Sequence, residues 1–100
     1  MIKHLVMFKM KEAAEGLDKA QNIQRLKAKL EALPDRIDEI VFFEVGINFS
    51  DNGVAYDMVL DSKFESKEAL YSYQKNPEHI EVADFVQRVC ENRVVVDYIV

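Results

Sequence analysis

The first ten residues restrict the possible folds more than any other segment of the chain. With the strand period of two, one face of residues 2–10 carries Ile2, His4, Val6, Phe8 and Met10. The other face carries Lys3, Leu5, Met7 and Lys9. Both faces contain large apolar side chains, and an exposed apolar strand surface promotes association. The segment therefore predicts a strand that has to be covered on both sides.

The next segments alternate between helix and strand signals. Residues 18–33 predict a helix that Asp18 caps and Pro34 ends, because Ile23, Leu26, Leu30 and Leu33 form one stripe. Residues 40–49 and 54–64 predict two strands, of which the first carries Val41, Phe43, Val45, Ile47 and Phe49 on one face. The tetrapeptide Ser50-Asp51-Asn52-Gly53 predicts the turn of a hairpin between them.

The second half of the chain predicts two helices and a last strand. Ser66 is the expected N-cap of a helix over residues 67–75, and Asn76-Pro77 is a typical helix start. The apolar stripe of this third helix of the chain is expected at Ile80, Ala83, Val86, Val89 and Cys90. Residues 93–100 predict a strand. One domain over residues 1–100 follows, with a ferredoxin-like βαββαβ fold, in which a four-stranded antiparallel sheet has helices on one face and strands 1 and 3 at its centre.

The uncovered face of this sheet predicts a partner. Leu5 and Met7 on strand 1, with Ile40 and Phe42 on strand 2, leave apolar side chains on the face without helices. A second copy packing sheet against sheet would bury them. We expect a homodimer through the open sheet face, with an apolar interior shared by the two sheets.

Composition excludes several classes of partner. The 100 residues carry a net charge of −5, which does not suit a nucleic-acid binder. No apolar run predicts a membrane span or a signal peptide, and a single cysteine cannot form an internal disulfide. These features predict a cytoplasmic protein without a membrane or nucleic-acid partner.

Three residues are candidates for chemistry. His79 is expected in the first turn of the third helix, where the helix N-terminus disfavours the charged imidazolium and leaves a neutral ring that can accept a proton. Tyr73 lies on the stripe of the second helix with Leu70, from where its hydroxyl could polarise a carbonyl oxygen. His4 lies on the apolar face of strand 1 and would border the same cavity. The alternatives are a solvent-facing His79, a packed Tyr73 and a core His4.

The remaining candidates are structural. Val6, Phe8, Leu26, Met58 and Leu60 are the expected apolar walls of a cavity that would take a small apolar ligand. Cys90 is expected to be a buried thiol. Two distant histidines without a matched carboxylate or cysteine do not predict a metal site, and no glycine-rich phosphate loop is present, so no metal and no cofactor are expected.

With these residues in place, the chain resembles the stress-responsive α/β-barrel (Dabb) family over essentially its whole length. Residues 2–9, IKHLVMFK, are similar to the family's HxVxFK first strand. Residues 73–79, YQKNPEH, are similar to its Y-x-x-x-x-P-x-H signature, and Val96-Asp97-Tyr98 to its usual end. The resemblance implies a dimeric α+β barrel.

The resemblance implies less about activity. Most members of the family have no assigned reaction. Some plant members are stress-induced structural proteins, and one plant branch cyclises polyketides without a cofactor through residues that match His79, Tyr73 and His4. Leu26 stands where that branch has a pocket tyrosine. Some members hold a cation on backbone carbonyls that would match Leu30, Leu33 and Arg36.

Three functions follow as hypotheses. The first is a small cofactor-independent enzyme, a lyase, isomerase or cyclase, that acts on an apolar carbonyl compound with His79 as base, Tyr73 as carbonyl partner and His4 as pocket orienter. The second is a non-catalytic dimer, either a stress-related protein or a ligand carrier. The third is a cofactor-free monooxygenase.

Overall fold

A computed structural model describes all residues, 1–100, and shows a ferredoxin-like α+β fold with a four-stranded antiparallel sheet and three helices. In chain order, the elements are β1 (Ile2–Met10), β2 (Ala13–Ala14), β3 (Leu17–Asp18), α1 (Lys19–Glu31), a 3-10 turn (Leu33–Asp35), β4 (Phe42–Ile47), β5 (Met58–Phe64), α2 (Lys67–Lys75), α3 (Pro77–Val89) and β6 (Cys90–Ile99). No helix has the length and apolar character that crossing a membrane requires.

The sheet has the order β4-β5-β1-β6, so β1 and β5 are central, as predicted. The register of β1 places His4 opposite Ser62 on β5 and opposite Asp97 on β6. Directly opposite residues of an antiparallel pair point to the same face of the sheet. His4 and Asp97 therefore share the face that the helices cover.

The core lies between this face and the three helices. On β1, the predicted inner residues Ile2, His4, Val6, Phe8 and Met10 are all buried. The helices contribute buried side chains from each element, among them Leu26, Leu30, Leu70, Tyr73, Val82, Phe85, Val86 and Val89. Asp18 caps α1 by accepting from the Gln21 N–H, as the sequence predicted.

Several predicted boundaries are wrong. The two predicted hairpin strands, at residues 40–49 and 54–64, are shorter in the structure, where they correspond to β4 and β5. Residues 48–57 form a loop instead of a tight turn at Ser50–Gly53. Asn48, Ser50 and Asn52 side chains bond the backbone of this loop, and such local bonds compete with strand pairing. The last strand begins at Cys90 rather than at residue 93. The short hairpin β2–β3, with positive φ at Glu15 and Gly16, was not predicted.

The stripe predicted for α3 is partly wrong. Ile80 is exposed, whereas Val82 and Phe85 are buried with Val86 and Val89. The helix packs on both α1 and α2, and its buried face turns accordingly. In the predicted strand at residues 40–49, Phe43 and Val45 pack on the core as expected, whereas Val41, Ile47 and Phe49 are exposed. Ile40, which the alternation predicts on the open face, packs against the core instead.

The open face of the sheet carries a mixed surface. Met7, Val94, Val96 and Tyr98 are exposed there, as the two-faced pattern of β1 predicted. The same face also holds an ion pair between Lys3 and Asp61 at 3.1 Å, so it is less purely apolar than expected.

Candidate functional site

The junction of α2 and α3 places His79. Asn76 ends α2 and is the N-cap of α3, where its side chain accepts a hydrogen bond from the Glu78 N–H at 2.9 Å. Pro77 is the first residue of α3, a position that needs no N–H donor. Since α3 starts here, His79 lies in its first turn, next to the end of α2.

The His79 ring has one nitrogen bonded and one without a partner in the chain. Its Nδ1 lies 3.1 Å from the carbonyl oxygen of Gln74. A carbonyl only accepts, so Nδ1 carries the proton and Nε2 carries the lone pair of the neutral ring. Burial lowers the pKa of His79, and the nearby His4 and Arg93 side chains lower it further, while the Gln74 hydrogen bond opposes them. The direction agrees with the sequence-based prediction, but burial is the largest cause.

Tyr73 lies beside this histidine in the interior. Its side chain is only 1% exposed, and its ring centroid is 4.5 Å from that of His79 and 4.8 Å from that of Phe64. The hydroxyl makes no hydrogen bond within the chain, and burial raises its pKa. A hydroxyl without a protein partner at the wall of a cavity is a donor suited to a ligand oxygen.

His4 is held from the neighbouring strand. Its Nδ1 forms a short hydrogen bond with Asp97 Oδ1, across the β1–β6 pair. The carboxylate only accepts, so Nδ1 carries a proton and donates it in this hydrogen bond. The His4 ring centroid is 6.3 Å from that of Tyr73. Asp97 therefore fixes both the tautomer and the orientation of a ring that contacts the same interior space.

The three predicted residues meet at one small cavity between sheet and helices. Its volume is about 30 Å³, room for a water molecule or one carbonyl group. Most of the lining is apolar and comes from six elements: His4, Val6, Phe8, Leu30, Leu60, Tyr73, His79, Val82, Ala83, Val86 and Arg93. The cavity is thus a largely apolar pocket with two histidine rings and one tyrosine in its wall.

The predicted walls are divided between the cavity and the core. Val6, Phe8 and Leu60 line the cavity. Leu26 and Met58 are buried in the core but do not line the cavity.

Two residues of the site were missed by sequence reasoning. Asp97 was noted only as part of a terminal motif, and Arg93 was assigned no role. The alternation of residues 93–99 already indicated that Arg93 and Asp97 share one face with Val95 between them. Only the register of β6 on β1 shows that this face lies next to Phe8 and His4.

The structure offers little for a metal ion. No three His, Cys, Asp or Glu side chains cluster together. Of the carbonyls suggested for a cation, that of Leu33 already accepts from the N–H groups of Arg36 at 2.9 Å and Ile37 at 3.0 Å, so it is not free to bind one. Cys90 is half-buried and contacts Met10, and burial raises its pKa to about 11, which keeps the thiol protonated.

Fold and site together define a ferredoxin-like protein with an enclosed histidine–tyrosine pocket. The family model of the stress-responsive A/B barrel domain matches residues 2–100, and the chain belongs to this family. An uncharacterised protein of Streptomyces coelicolor is 34% identical over 79 residues, 79% of either chain. A stress-response A/B barrel domain-containing protein of Arabidopsis thaliana is 30% identical over 99% of this chain, which spans only 36% of that protein's length.

Solved structures agree on the fold. A dimeric ferredoxin-like protein of unknown function from Bacteroides fragilis superposes with a TM-score of 0.80 at 29% identity, over 97% of this chain and 93% of that chain. The Arabidopsis thaliana protein At3g17210 has a TM-score of 0.82 at 26% identity, covering 100% and 95%. A hydroxynitrile lyase from Passiflora edulis shares the fold, with a TM-score of 0.83 at 21% identity over 99% and 92%.

Proposed function

We propose that this protein is a cofactor-independent acid–base enzyme of the lyase, isomerase or cyclase type, acting on a small carbonyl compound. One observation carries the proposal: His79, whose Nδ1 is bonded and whose Nε2 is free, and Tyr73, whose hydroxyl has no partner in the chain, line the same largely apolar cavity. A general base and a hydrogen-bond donor are the two groups that enolisation of a carbonyl compound needs.

The step follows from the positions of these groups. Nε2 of His79 takes a proton from the carbon next to the carbonyl group, and the electron pair of that C–H bond moves to the carbonyl oxygen as the enolate forms. The Tyr73 hydroxyl donates a hydrogen bond to that oxygen as its negative charge develops. The enolate then regains a proton from the His79 imidazolium, which gives an isomerase, or its carbon attacks a second carbonyl carbon, whose oxygen takes that proton as its π bond breaks, which gives a cyclase. The reverse of the attack gives a lyase.

His4 acts as an orienting residue in this proposal. Asp97 holds the His4 ring through Nδ1, so Nε2 can accept a hydrogen bond from a ligand or a water in the cavity. Because a carbonyl oxygen only accepts hydrogen bonds and the free nitrogen of neutral His79 is itself an acceptor, a bound carbonyl is directed towards the Tyr73 hydroxyl, which donates.

The size of the cavity favours the enzyme over the carrier. About 30 Å³ holds a carbonyl group but not a complete apolar ligand, so the rest of a substrate lies towards the edge strand β6. A carrier needs a pocket that encloses most of its ligand. A non-catalytic stress-related dimer and a cofactor-free monooxygenase are the alternative functions.

We also propose that two copies pair through the open sheet face. Met7, Val94 and Val96 expose apolar side chains there, and at one end of the face the loop 48–57 adds Phe49, 97% exposed, and Val54. An apolar groove of about 620 Å³ runs along this end. Apolar patches of this kind mark interfaces, and the similar Bacteroides fragilis protein is described as dimeric. The cytoplasmic location expected from the sequence stays a prediction.

The exchange of hydrogen for deuterium next to the carbonyl group of a ketone tests the proposed enzyme activity directly. Butanone in D₂O is followed by proton NMR, since an enolising enzyme speeds the loss of the signals next to its carbonyl group. We expect exchange above the buffer rate with the wild type, and a return towards the buffer rate in His79→Gln. Lys75→Gln, an exposed change at the end of α2, is the matched control. Binding of butanone without exchange supports the carrier, and exchange that His79→Gln leaves intact contradicts the proposal.

A further inference from the structure

Arg93 differs from every other arginine of the chain. Arg25 and Arg88 both pair with Glu15, and Arg36 pairs with Glu78. The Arg93 side chain forms no ion pair and no hydrogen bond, although the chain has 18 acidic residues. An arginine is a strong carboxylate binder with five donors, and a guanidinium without a protein partner keeps these donors for a ligand.

The position of Arg93 links it to the cavity. It lies on β6 opposite Phe8 of β1, and this register directs its side chain to the helix-covered face. Arg93 lines the cavity together with Phe8, Tyr73 and His79. It is also exposed, because β6 is an edge strand, so it stands where the cavity meets solvent.

Its charge reaches the proposed base. Arg93 is one of the two nearby side chains that lower the pKa of His79 in addition to burial. Of the two carboxylates of β6, Asp97 binds His4, and Glu91 lies 3.9 Å from Lys9. Glu91 lines a separate surface pocket that Arg93 also borders, but no carboxylate lines the cavity beside His79 and Tyr73, so an anion in that cavity meets the Arg93 guanidinium alone.

We infer that the substrate is an oxo acid, a short carbon chain whose carbonyl group enters the cavity and whose carboxylate binds Arg93. This inference rests on the proposed function, because it assigns the substrate class of the same site. The Tyr73 hydroxyl receives the carbonyl oxygen. Apolar residues of the cavity wall, such as Val82, Ala83 and Val86, contact the carbon chain beyond the carbonyl group.

A single guanidinium suits a carboxylate well. Its planar fork gives two parallel hydrogen bonds to one carboxylate, and such charge-assisted pairs are stronger than neutral ones. The net charge of −5 repels anions at long range, but salt screens that repulsion, while the pair at contact distance persists. Arg93 is thus a specificity-determining residue that separates oxo acids from neutral ketones of the same size.

Three matched probes test this inference. 2-Oxobutanoate has both groups, butanone lacks the carboxylate, and butanoate lacks the carbonyl group. Each is titrated into isotope-labelled protein, and dissociation constants are taken from the NMR signals of the His79 and Tyr73 rings. We expect 2-oxobutanoate to bind at least about tenfold more tightly than either other probe, by the bidentate pair.

The variants separate the two proposals. Arg93→Met should weaken 2-oxobutanoate binding to the level of butanone, whereas Arg88→Met, the same change at an exposed position of α3, should leave it unchanged. Equal binding of 2-oxobutanoate by wild type and Arg93→Met, or equal binding of butanoate and 2-oxobutanoate, overturns the oxo-acid inference but leaves ketone enolisation standing. If no probe shifts either ring, both the inference and the proposed function fail.

Discussion

At the scale of single residues, the half-buried ring of His79 makes the stability of the folded protein depend on pH. Burial holds its folded-state pKa below the ordinary value of about 6.5, so the unfolded chain binds a proton more readily than the folded one. The stability that the neutral ring contributes is fully present above about pH 6.5 and is lost as the pH falls towards the folded-state pKa.

The pH dependence of stability checks this shift. The free energy of unfolding is measured by urea titration at several pH values between about 4.5 and 7.5 for the wild type and for His79→Gln, which cannot titrate. We expect the difference between the two to shrink as the pH falls below about 6.5. A difference that grows instead would mean a raised pKa, and a histidine charged at neutral pH cannot act as the base.

Tyr73 offers a prediction in which stability and activity separate. Tyr73→Phe removes a hydroxyl that makes no hydrogen bond within the chain, so stability should stay unchanged or rise slightly. Enolisation should slow by about 100- to 1,000-fold, the usual effect of losing a donor to a developing oxyanion. Thermal unfolding and ketone exchange are the two measurements. A clear loss of stability would show that the hydroxyl has a structural partner instead.

At the scale of secondary structure elements, the β1–β6 pairing builds the site. It places Asp97 opposite His4 and Arg93 opposite Phe8, so one edge strand supplies both charged groups around the cavity. An edge strand has only one neighbour to hold it, and the His4–Asp97 bond is therefore also a side-chain tie between β6 and the centre of the sheet.

Asp97→Ala should release this tie. We expect the nitrogen chemical shifts of His4 to change from a single tautomer towards a mixture, and the free energy of unfolding to fall by about 1 kcal/mol, a modest value because Asp97 is partly exposed. Glu91→Ala, on the same strand and only loosely paired with Lys9, is the control. An unchanged His4 tautomer in Asp97→Ala would contradict the positioning role.

At the scale of the whole molecule, the open sheet face governs assembly. The helices cover one face of β1, and Met7, 45% exposed, projects from the other. We expect the wild type to sediment at twice the monomer mass at micromolar concentration. Met7→Glu places a charge in the proposed apolar interface, where burying it without a partner is costly, and should give monomers or unfolded chains.

The control adds the same charge elsewhere. Gln24→Glu lies on the exposed side of α1 and should leave the mass and the thermal stability unchanged. If Met7→Glu unfolds, Val94→Glu, opposite it on the edge strand, provides a milder test of the same surface. A wild type that remains monomeric at high concentration would contradict the sheet-to-sheet dimer.

Much of this protein could be predicted from local signals in the sequence. The period of two in residues 2–10 identified the buried face of β1, because side chains on a strand alternate whatever it packs against. Asp18, Ser66 and Asn76 marked the starts of the three helices, since capping depends only on neighbouring backbone groups. These signals together determined the element order and hence the ferredoxin-like fold, and they placed His79 in the first turn of α3.

What depends on distant parts of the chain was decided by the tertiary structure alone. Which face of α3 is buried depends on how the helix leans on α1 and α2, so Val82 and Phe85 replaced Ile80 in the core. The pairing of His4 with Asp97 joins residues 93 positions apart, and it follows from strand register. The same register brings Arg93 to the cavity. The period of two in a strand predicts which residues share a face, but it does not predict which residues of the neighbouring strand lie beside them. The charges that surround the pocket were therefore set by packing between strands rather than by any local pattern.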